Sequence, residues 1–439
     1  MTSQATTRMA DADPARVTPM RIAIGIHSLQ LGGSQVNTVD LSRQLRDRGH
    51  DVHLFAIHED FKVSIVPVAE RAGFDIEVLP AESSLWSQAR RITEVVDRHD
   101  AQVLHVYHED HWLGPLASMA LRSRPGRALV VTNWMMENNR WLPPHAPLIL
   151  GTEALCEEAR CIQRGPVWLI EPPVDTERDA PDKARAADFR RSNGFRYDEL
   201  LAVLVTRIDT AMKLDGIVRA ITAVETIDRS DFRLVVVGDG DAMQTVRQRA
   251  GQANARLGRD AIVLTGALDD PRPAYDAADF VLGMGGSALR GLAFSRPVVI
   301  VGEDGFSEVF SPETVTYFLR HGYHGVGPSD PGAARLTEQL RSLFDAVRRA
   351  ELSEFGAAIV RDRYALDVLT ERLEQIYASS FASPLNAFQR WSDVAYVTGY
   401  DLAHRRLPPG LRHSLRRRIA RLRTGTISGR GERSDATTG

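Results

Sequence analysis

The sequence has little cysteine. Only Cys156 and Cys161 occur in 439 residues, which is too few for a secreted fold held together by disulfides. Both fall within a predicted helix from Glu153 to Gln163, and we interpret them as ordinary, partly buried thiols. We therefore expect a fold that is stabilised by its hydrophobic core and not by covalent cross-links.

Long apolar runs are absent as well. No stretch approaches the ~18 residues that are needed to cross a membrane. Residues 1–19 are rich in Ala, Thr, Asp and Pro and lack the apolar core of a signal peptide, so we interpret them as a disordered leader. Residues 424–439 have the composition of a disordered tail. These features predict a cytoplasmic protein.

Neither sign of charge dominates. The 54 basic and 57 acidic side chains leave a formal net charge of −3, which gives no basis for binding nucleic acid. The exception is residues 402–423, with eight arginines and no acid. Within residues 411–423 the apolar positions recur at helical spacing, which predicts a basic amphipathic helix. Such a helix either packs on the protein with a solvated basic face or makes peripheral contact with an anionic membrane.

Alternation of strands and helices occurs twice along the chain. Continuous apolar runs predict strands at residues 21–26, 52–57, 77–79, 103–106, 129–132, 148–150 and 167–170, and then at 200–205, 233–237, 261–265, 280–283 and 298–301. Helices are predicted between them, at 34–48, 113–122, 214–227, 241–256 and 287–295. Buried strands joined by helices indicate α/β domains with doubly wound parallel sheets. The prolines of residues 171–175 mark a boundary between two such Rossmann-like domains.

Polar residues follow the predicted strands of the second half. Arg207 and Lys213 come after one strand, a Gly-Asp-Gly turn (238–240) after the next, and a Gly-rich turn (283–287) before a helix. Two cations and a helix N-terminus together favour an anion with several phosphate oxygens, such as a nucleoside diphosphate. The alternative is an ordinary solvated loop. A dinucleotide-dependent oxidoreductase is disfavoured, because no Gly-x-Gly-x-x-Gly follows Ile26 or Val205.

In this region the chain resembles the donor domain of the family-4 glycosyltransferases, which have the GT-B fold. That family shows Gly-Arg-Leu and then Lys-Gly, Val-Gly-Asp-Gly, Leu-Glu-Ala-Met-Ala-x-Gly-x-Pro-Val-Val, and Gly-Gly-Ile-Pro-Glu-Val-Val. The matching positions here are Arg207, Lys213, Gly238 to Gly240, Leu289, Ala293, Pro297 to Val299 and residues 305–309. The resemblance covers residues 21–380 and is looser in the first half.

The resemblance implies a glycosyltransferase that moves a sugar from a nucleotide-diphospho sugar to a hydroxyl acceptor, with retention and without a metal or other cofactor. The acceptor would be a small molecule, a glycan or a lipid-linked molecule. It implies an acceptor-side domain at 20–172, a donor domain at 173–380, and a C-terminal return helix followed by the basic helix at 381–423. The implied donor-binding residues are Gly32, Gly33, Arg207, Lys213, Gly238, Leu268, Gly285, Gly286, Ser287, Ala288, Leu289, Arg290 and Glu308.

The chain departs from the family at two acidic positions. Family members carry two glutamates that contact the ribose and the donor sugar; the second is Arg290 here, and the first falls on Leu282 or Gly283. Because a guanidinium cannot accept hydrogen bonds from hydroxyls, Arg290 is expected to meet a phosphate or carboxylate. Glu308 is a candidate replacement acid, unless it is an exposed residue at a helix start. The loss of both glutamates leaves open the alternative that the chain is a non-catalytic sugar-nucleotide-binding or scaffold protein of the same fold.

The first half offers candidates for the acceptor side. His105, His108 and His111 follow the fourth predicted strand, where the family has His-x-His, and His108 is the candidate catalytic residue that orients sugar or acceptor. A zinc site is the alternative, but the spacing does not place the three histidines on one helix face. Asn133, Trp134 and Glu137 follow the next strand and are candidates for an acceptor pocket on position alone.

Overall fold

The structure is a computed structural model that describes residues 18–60, 63–108, 112–138, 141–325, 330 and 332–406. The predicted leader up to residue 17, His111, the basic helix at 411–423 and the tail at 424–439 lie outside the described residues. Within the described part of the chain, no helix is long and apolar enough to span a bilayer.

A seven-stranded parallel sheet forms the N-terminal domain. Its strands are β1 (Arg21–Ile26), β2 (Asp51–Ile57), β3 (Ile76–Leu79), β4 (Val103–Tyr107), β5 (Ala128–Asn133), β6 (Leu148–Leu150) and β7 (Val167–Leu169). Their order is β3-β2-β1-β4-β5-β6-β7. The helices between them are α1 (Gly33–Asp47), α2 (Val66–Arg71), α3 (Leu85–Arg98), α4 (Leu113–Leu121) and α5 (Glu153–Arg160). The central strands are buried on both faces, which explains their continuous apolar runs.

A six-stranded sheet forms the second domain. Its strands are β8 (Leu200–Val205), β9 (Phe232–Val237), β10 (Ile262–Gly266), β11 (Phe280–Gly283), β12 (Val298–Val301) and β13 (Ser307–Val309), in the order β10-β9-β8-β11-β12-β13. All pairs are parallel except β12 with β13. The helices are α6 (Lys183–Ser192), α7 (Leu214–Ile227), α8 (Met243–Leu257), α9 (Arg272–Ala277), α10 (Gly286–Ala293), α11 (Val315–His321), α12 (Ala334–Ser342) and α13 (Ala346–Arg363).

Two C-terminal helices return to the N-terminal domain. They are α14 (Leu366–Ala382) and α15 (Ala387–Arg406). The buried side chains of α14 belong to the same core cluster as β1, and Val394 and Val397 of α15 join the cluster around α4. The predicted boundary at residue 380 therefore falls inside a helix of the N-terminal core, and the return begins at Leu366, because α14 carries an apolar face that fits α1.

The two segments that pass between the domains are hydrogen-bonded to each other. Val174 donates its N–H to the carbonyl of Tyr364 at 2.8 Å, and Leu366 donates to the carbonyl of Val174 at 2.9 Å. Val174 and Ala365 form an isolated parallel bridge. A second contact joins α5 of the first domain to α11 of the second. The carboxyl ends of both sheets face a common cleft.

Candidate active site

The loop after β8 presents the two predicted cations. Arg207 is exposed, with its Nε 3.5 Å from Oδ2 of Asp209. Lys213 immediately precedes α7, and its ammonium group is largely enclosed. Burial lowers the pKa of Lys213 to about 8, although Asp209 and Glu303 favour the charged form. The loop therefore holds one exposed, permanently charged side chain beside one half-buried ammonium group.

The Gly-Asp-Gly turn supports this loop from behind. Ile208 donates its N–H to the carbonyl of Asp239 at 2.9 Å, and Ala242 donates to the carbonyl of Ile208 at 3.0 Å. Gly238 has a φ of +144°, and a Cβ there would overlap the carbonyl oxygen of Thr206. The motif thus fixes the backbone that carries Arg207, which is a reason for glycine that requires no ligand contact.

A two-residue turn leads from β11 into α10. Gly285 has φ +58° and ψ −132°, which only glycine adopts readily, and its N–H donates to the carbonyl of Tyr323 at 2.7 Å. The Ser287 hydroxyl donates to the carbonyl of Met284 at 3.0 Å. Ala288 and Leu289 are buried in the core behind the turn. The predicted residues of this segment therefore form a tight turn at the start of α10, where backbone amides are available to an anion.

His324 joins this site, although sequence analysis did not find it. Burial lowers its pKa, and the nearby positive charges of His321 and Lys213 lower it further. His324 also lines a cavity between the domains together with Gly285 and Gly286. The hydrogen bond from Gly285 to Tyr323, the residue before His324, holds His324 at the site. No local pattern in the sequence reveals this long-range contact.

The N-terminal side of the cleft holds a small cluster around His108. His108 is buried, with 2% of its surface exposed, and its backbone N–H donates to the carbonyl of Thr132 at 2.7 Å. It shares a cavity with His27, Ser34 and Trp134. The amide Nε2 of Gln35 lies 2.8 Å from Nε2 of His27.

The predicted glycine loop lies next to this cluster. Gly32 is the N-cap of α1, and Gly33 is its first residue. The structure therefore brings Gly32 and Gly33 close to the surroundings of His108, at the carboxyl end of β1.

His105 is not a site residue. Its Nδ1 lies 2.6 Å from the hydroxyl of Tyr377 and its Nε2 lies 2.7 Å from the hydroxyl of Thr132. Complete burial lowers its pKa to about 3, so the ring stays neutral. Both nitrogens are thus engaged in attaching α14 to the sheet, which removes His105 from any zinc site with His108. Among the described residues, the one group of three side chains arranged to hold a metal ion is His53, Glu77 and His99, and none of these lines a cavity described here.

The three predicted acceptor residues differ in their positions. Trp134 lines both the His108 cavity and the cavity between the domains, and its indole N–H donates to the carbonyl of Ile170 at 2.8 Å. Asn133 is fully buried and holds the following loop, through bonds to the N–H of Met135 and the carbonyl of Glu137. Glu137 is exposed. Only Trp134 of the three therefore faces the cleft cavities.

Two family models match the chain, one in each domain. A model described as Glycosyltransferase Family 4 matches residues 31–178, and one described as Glycosyl transferases group 1 matches residues 200–345. Together they cover more than half of the chain. The chain belongs to the family-4-like glycosyltransferases.

Solved structures share the GT-B fold of this glycosyltransferase. A glycosyltransferase from Rickettsia africae matches with a TM-score of 0.66 at 15% identity, over 84% of this chain and 100% of that one. HepE from Anabaena, in complex with UDP, matches with a TM-score of 0.65 at 15% identity, over 82% and 100%. The catalytic domain of starch synthase IV from Arabidopsis thaliana, bound to ADP and acarbose, matches with a TM-score of 0.59 at 10% identity, over 83% and 100%. No curated protein matches the chain significantly.

Arg290 of this glycosyltransferase has a carboxylate partner within the chain. Its Nε lies 3.3 Å from Oδ2 of Asp179, and its positive charge also acts on Asp40 of α1. Burial raises the pKa of both carboxyl groups, and Arg290 opposes that rise. The arginine in the place of the family's second glutamate therefore lies in an ionic group that joins α10, the linker and α1. Its contact with an anionic donor group stays a prediction.

Glu308 has partners within the second domain. It lies on the edge strand β13, and its carboxylate pairs with Arg335 and with Gln339 of α12. The chain reverses between β12 and β13, so that Glu308 pairs with Ile300 in antiparallel register. Glu308 is therefore paired within the second domain, and its place beside the donor stays a prediction.

Leu268 and Glu171 complete the surroundings of the glycosyltransferase cleft. Leu268 is partly buried in the loop after β10 and packs on the second-domain core. Glu171, from the predicted boundary motif, is 3% exposed, lines the cavity between the domains, and accepts a hydrogen bond of 2.7 Å from Nε of Arg363. This cavity has an empty volume of about 550 Å³ and is otherwise mainly apolar.

Proposed function

We propose that this glycosyltransferase transfers a sugar from a nucleotide-diphospho sugar to a hydroxyl acceptor, with retention at the anomeric carbon and without a metal ion. The proposal rests above all on one arrangement: the loop with Arg207 and Lys213 follows β8, and α10 begins after the adjacent strand β11. Positive charge and free backbone amides are the groups that a leaving diphosphate requires.

Each group has a defined part in the proposed reaction. The bond from the anomeric carbon to the β-phosphate oxygen breaks, and Arg207, Lys213 and the amides of Gly286 and Ser287 at the start of α10 stabilise the negative charge that develops on that phosphate. The acceptor oxygen attacks from the same face, and its proton passes to the leaving phosphate. His108 orients the sugar or the acceptor from the opposite domain.

The identity of the nucleotide is best approached through the solved relatives. The structures of HepE contain UDP and UDP-glucose, which makes uridine nucleotides the first probes for this chain. We expect UDP to raise the melting temperature of the protein, because a ligand at ~100 times its dissociation constant adds roughly 2.7 kcal/mol. GDP and ADP serve as comparisons, and no shift with any nucleotide diphosphate would contradict the proposal.

The acceptor side and the location of the enzyme form the second half of the proposal. Trp134 and the His108 cavity provide the surface for a small-molecule, glycan or lipid-linked acceptor. The sequence of residues 411–423 predicts a basic amphipathic helix, and we propose that it brings a cytoplasmic enzyme to an anionic membrane. Sedimentation with vesicles that contain anionic lipid, compared with neutral vesicles, tests that contact.

Chelation is expected to leave turnover unchanged. Charge neutralisation is assigned to side chains and amides, so that no divalent ion is needed at the diphosphate. Turnover measured with EDTA should equal turnover measured with Mg²⁺ or Mn²⁺. Loss of activity in EDTA, with recovery on addition of either ion, would contradict the metal-independent mechanism.

The affinity for UDP is expected to depend on pH through Lys213. Its pKa of about 8 in the free protein means that the ammonium form, which binds diphosphate, is complete near pH 7 and is lost as the pH rises above 8. The dissociation constant should therefore increase between pH 7 and pH 9. Lys213→Arg keeps its charge throughout this range, and calorimetric titration should show a flatter profile for this variant. Equal slopes for both proteins would remove Lys213 from the diphosphate site.

A further inference from the structure

Three side chains of the types that bind metal ions lie together at the outer edge of the N-terminal sheet. They are His53 on β2, Glu77 on the edge strand β3, and His99 at the C-cap of α3, and we call them the edge cluster. Nε2 of His53 lies 2.8 Å from Oε2 of Glu77, and Nε2 of His99 lies 3.6 Å from the same oxygen. All three ligand atoms lie within 4.8 Å of one another.

The two imidazole rings are held parallel. Their centroids are 3.5 Å apart, with an angle of 19° between the ring planes. Nε2 of His99 is shielded from solvent and has no hydrogen-bond partner among the described residues. A buried ring nitrogen without a partner is unfavourable, and a metal ion would accept its lone pair. The lone pairs of two stacked rings lie in nearly parallel planes, so that binding of one ion by both rings requires the partly exposed His99 to turn out of the stack.

The chemistry of the cluster suits a transition metal. Two imidazole nitrogens and one carboxylate oxygen are typical zinc ligands, whereas magnesium and calcium prefer oxygen alone. Tetrahedral ligands at about 2.0–2.2 Å from zinc lie about 3.4 Å apart. The pair His99–Glu77 is already near that separation, and the pair His53–Glu77 would open by roughly half an ångström.

We propose that the edge cluster binds one zinc ion, with solvent as the fourth ligand, and that the ion fastens β2, β3 and α3 together. Arg98 supports this assignment because its guanidinium group lies 2.6 Å from Oε1 of Glu77, which orients the carboxylate and leaves Oε2 for the metal. The role is structural, since the cluster lines none of the cavities around the proposed donor and acceptor sites. It is therefore independent of the proposed transfer reaction.

Calorimetric titration with ZnCl₂ tests the proposal on the tag-free full chain, after treatment with EDTA and removal of the chelator. We expect one equivalent of zinc to bind and to raise the melting temperature. The double variant His53→Gln/His99→Gln is expected to lose affinity by about tenfold to a hundredfold or more. The matched control is His58→Gln, because His58 is exposed and only 4.0 Å from its acidic neighbour Asp60.

Cobalt provides a second measurement. Co²⁺ in the cluster should give the intense visible absorption of tetrahedral coordination in the wild type and in His58→Gln, but not in the double variant. If the double variant is unfolded at the assay temperature, His99→Gln replaces it, since 34% of the His99 side chain is exposed. Three results would overturn the proposal. They are wild-type zinc affinity in the double variant or in His99→Gln, no zinc binding by the wild type, and equal affinity of the wild type for Mg²⁺ and zinc.

Discussion

Removal of either cation of the proposed diphosphate site is expected to lower turnover by roughly 30-fold to 1,000-fold. The estimate corresponds to roughly 2–4 kcal/mol of barrier, the cost of losing one preorganised group that stabilises developing negative charge. Arg207→Ala and Lys213→Met are the informative variants, because methionine keeps most of the apolar stem of Lys213 in its enclosed position. Initial rates with saturating donor measure the effect.

The two variants should also differ from each other. Lys213 is largely enclosed while Arg207 is exposed, and charge interactions are stronger away from water. We therefore expect the larger loss for Lys213→Met. The control is Lys183→Ala, which removes an exposed ammonium group from the start of α6 and should keep full activity. Wild-type turnover in both test variants would refute the assignment of the donor site.

Gly238→Ala is expected to lower stability and nucleotide affinity together. The new Cβ would overlap the carbonyl oxygen of Thr206, and a φ of +144° is strained for alanine. Overlap of this kind costs roughly 1–3 kcal/mol, and relief by displacement of Thr206 would move the backbone that carries Arg207. Chemical denaturation and titration with UDP measure the two effects.

Gly251→Ala is the matched control for this substitution. Gly251 lies inside α8, and a Cβ there meets nothing within 4 Å. Alanine favours a helix interior over glycine by roughly 0.8–1.0 kcal/mol, so this variant should be slightly more stable than the wild type and should bind UDP equally well. A Gly238→Ala protein with unchanged UDP affinity would show that the turn does not position the phosphate loop.

The sequence predicts the features that depend on neighbouring residues. The buried strands of both sheets follow from continuous apolar runs, and β8 and α7 have the predicted bounds. The positions of Arg207, Lys213 and the Gly-Asp-Gly turn follow from their places directly after strands. α3 was not predicted, although the sequence has a signal for it, since the side chain of Ser84 caps its N-terminus.

Features that depend on distant contacts were beyond sequence reasoning. β13 exists because β12 lies beside it, and this pairing carries Glu308 to Arg335. His324 approaches Lys213 because Tyr323 accepts a hydrogen bond from Gly285. His105 was kept as a ligand of the alternative zinc site, because the partner that buries it, Tyr377, comes 272 positions later. In each case the deciding contact joins segments whose proximity is a property of the fold and not of a local pattern.

The hydrogen-bonded joint at Val174 and Tyr364 sets the two crossings between the domains side by side. The N-terminal domain, which α14 and α15 complete, thus carries the second domain as an insertion whose two ends lie next to each other. Because the ends of the insertion meet, the second domain closes on itself without a long connection, and each domain is able to pack its own core as a separate unit.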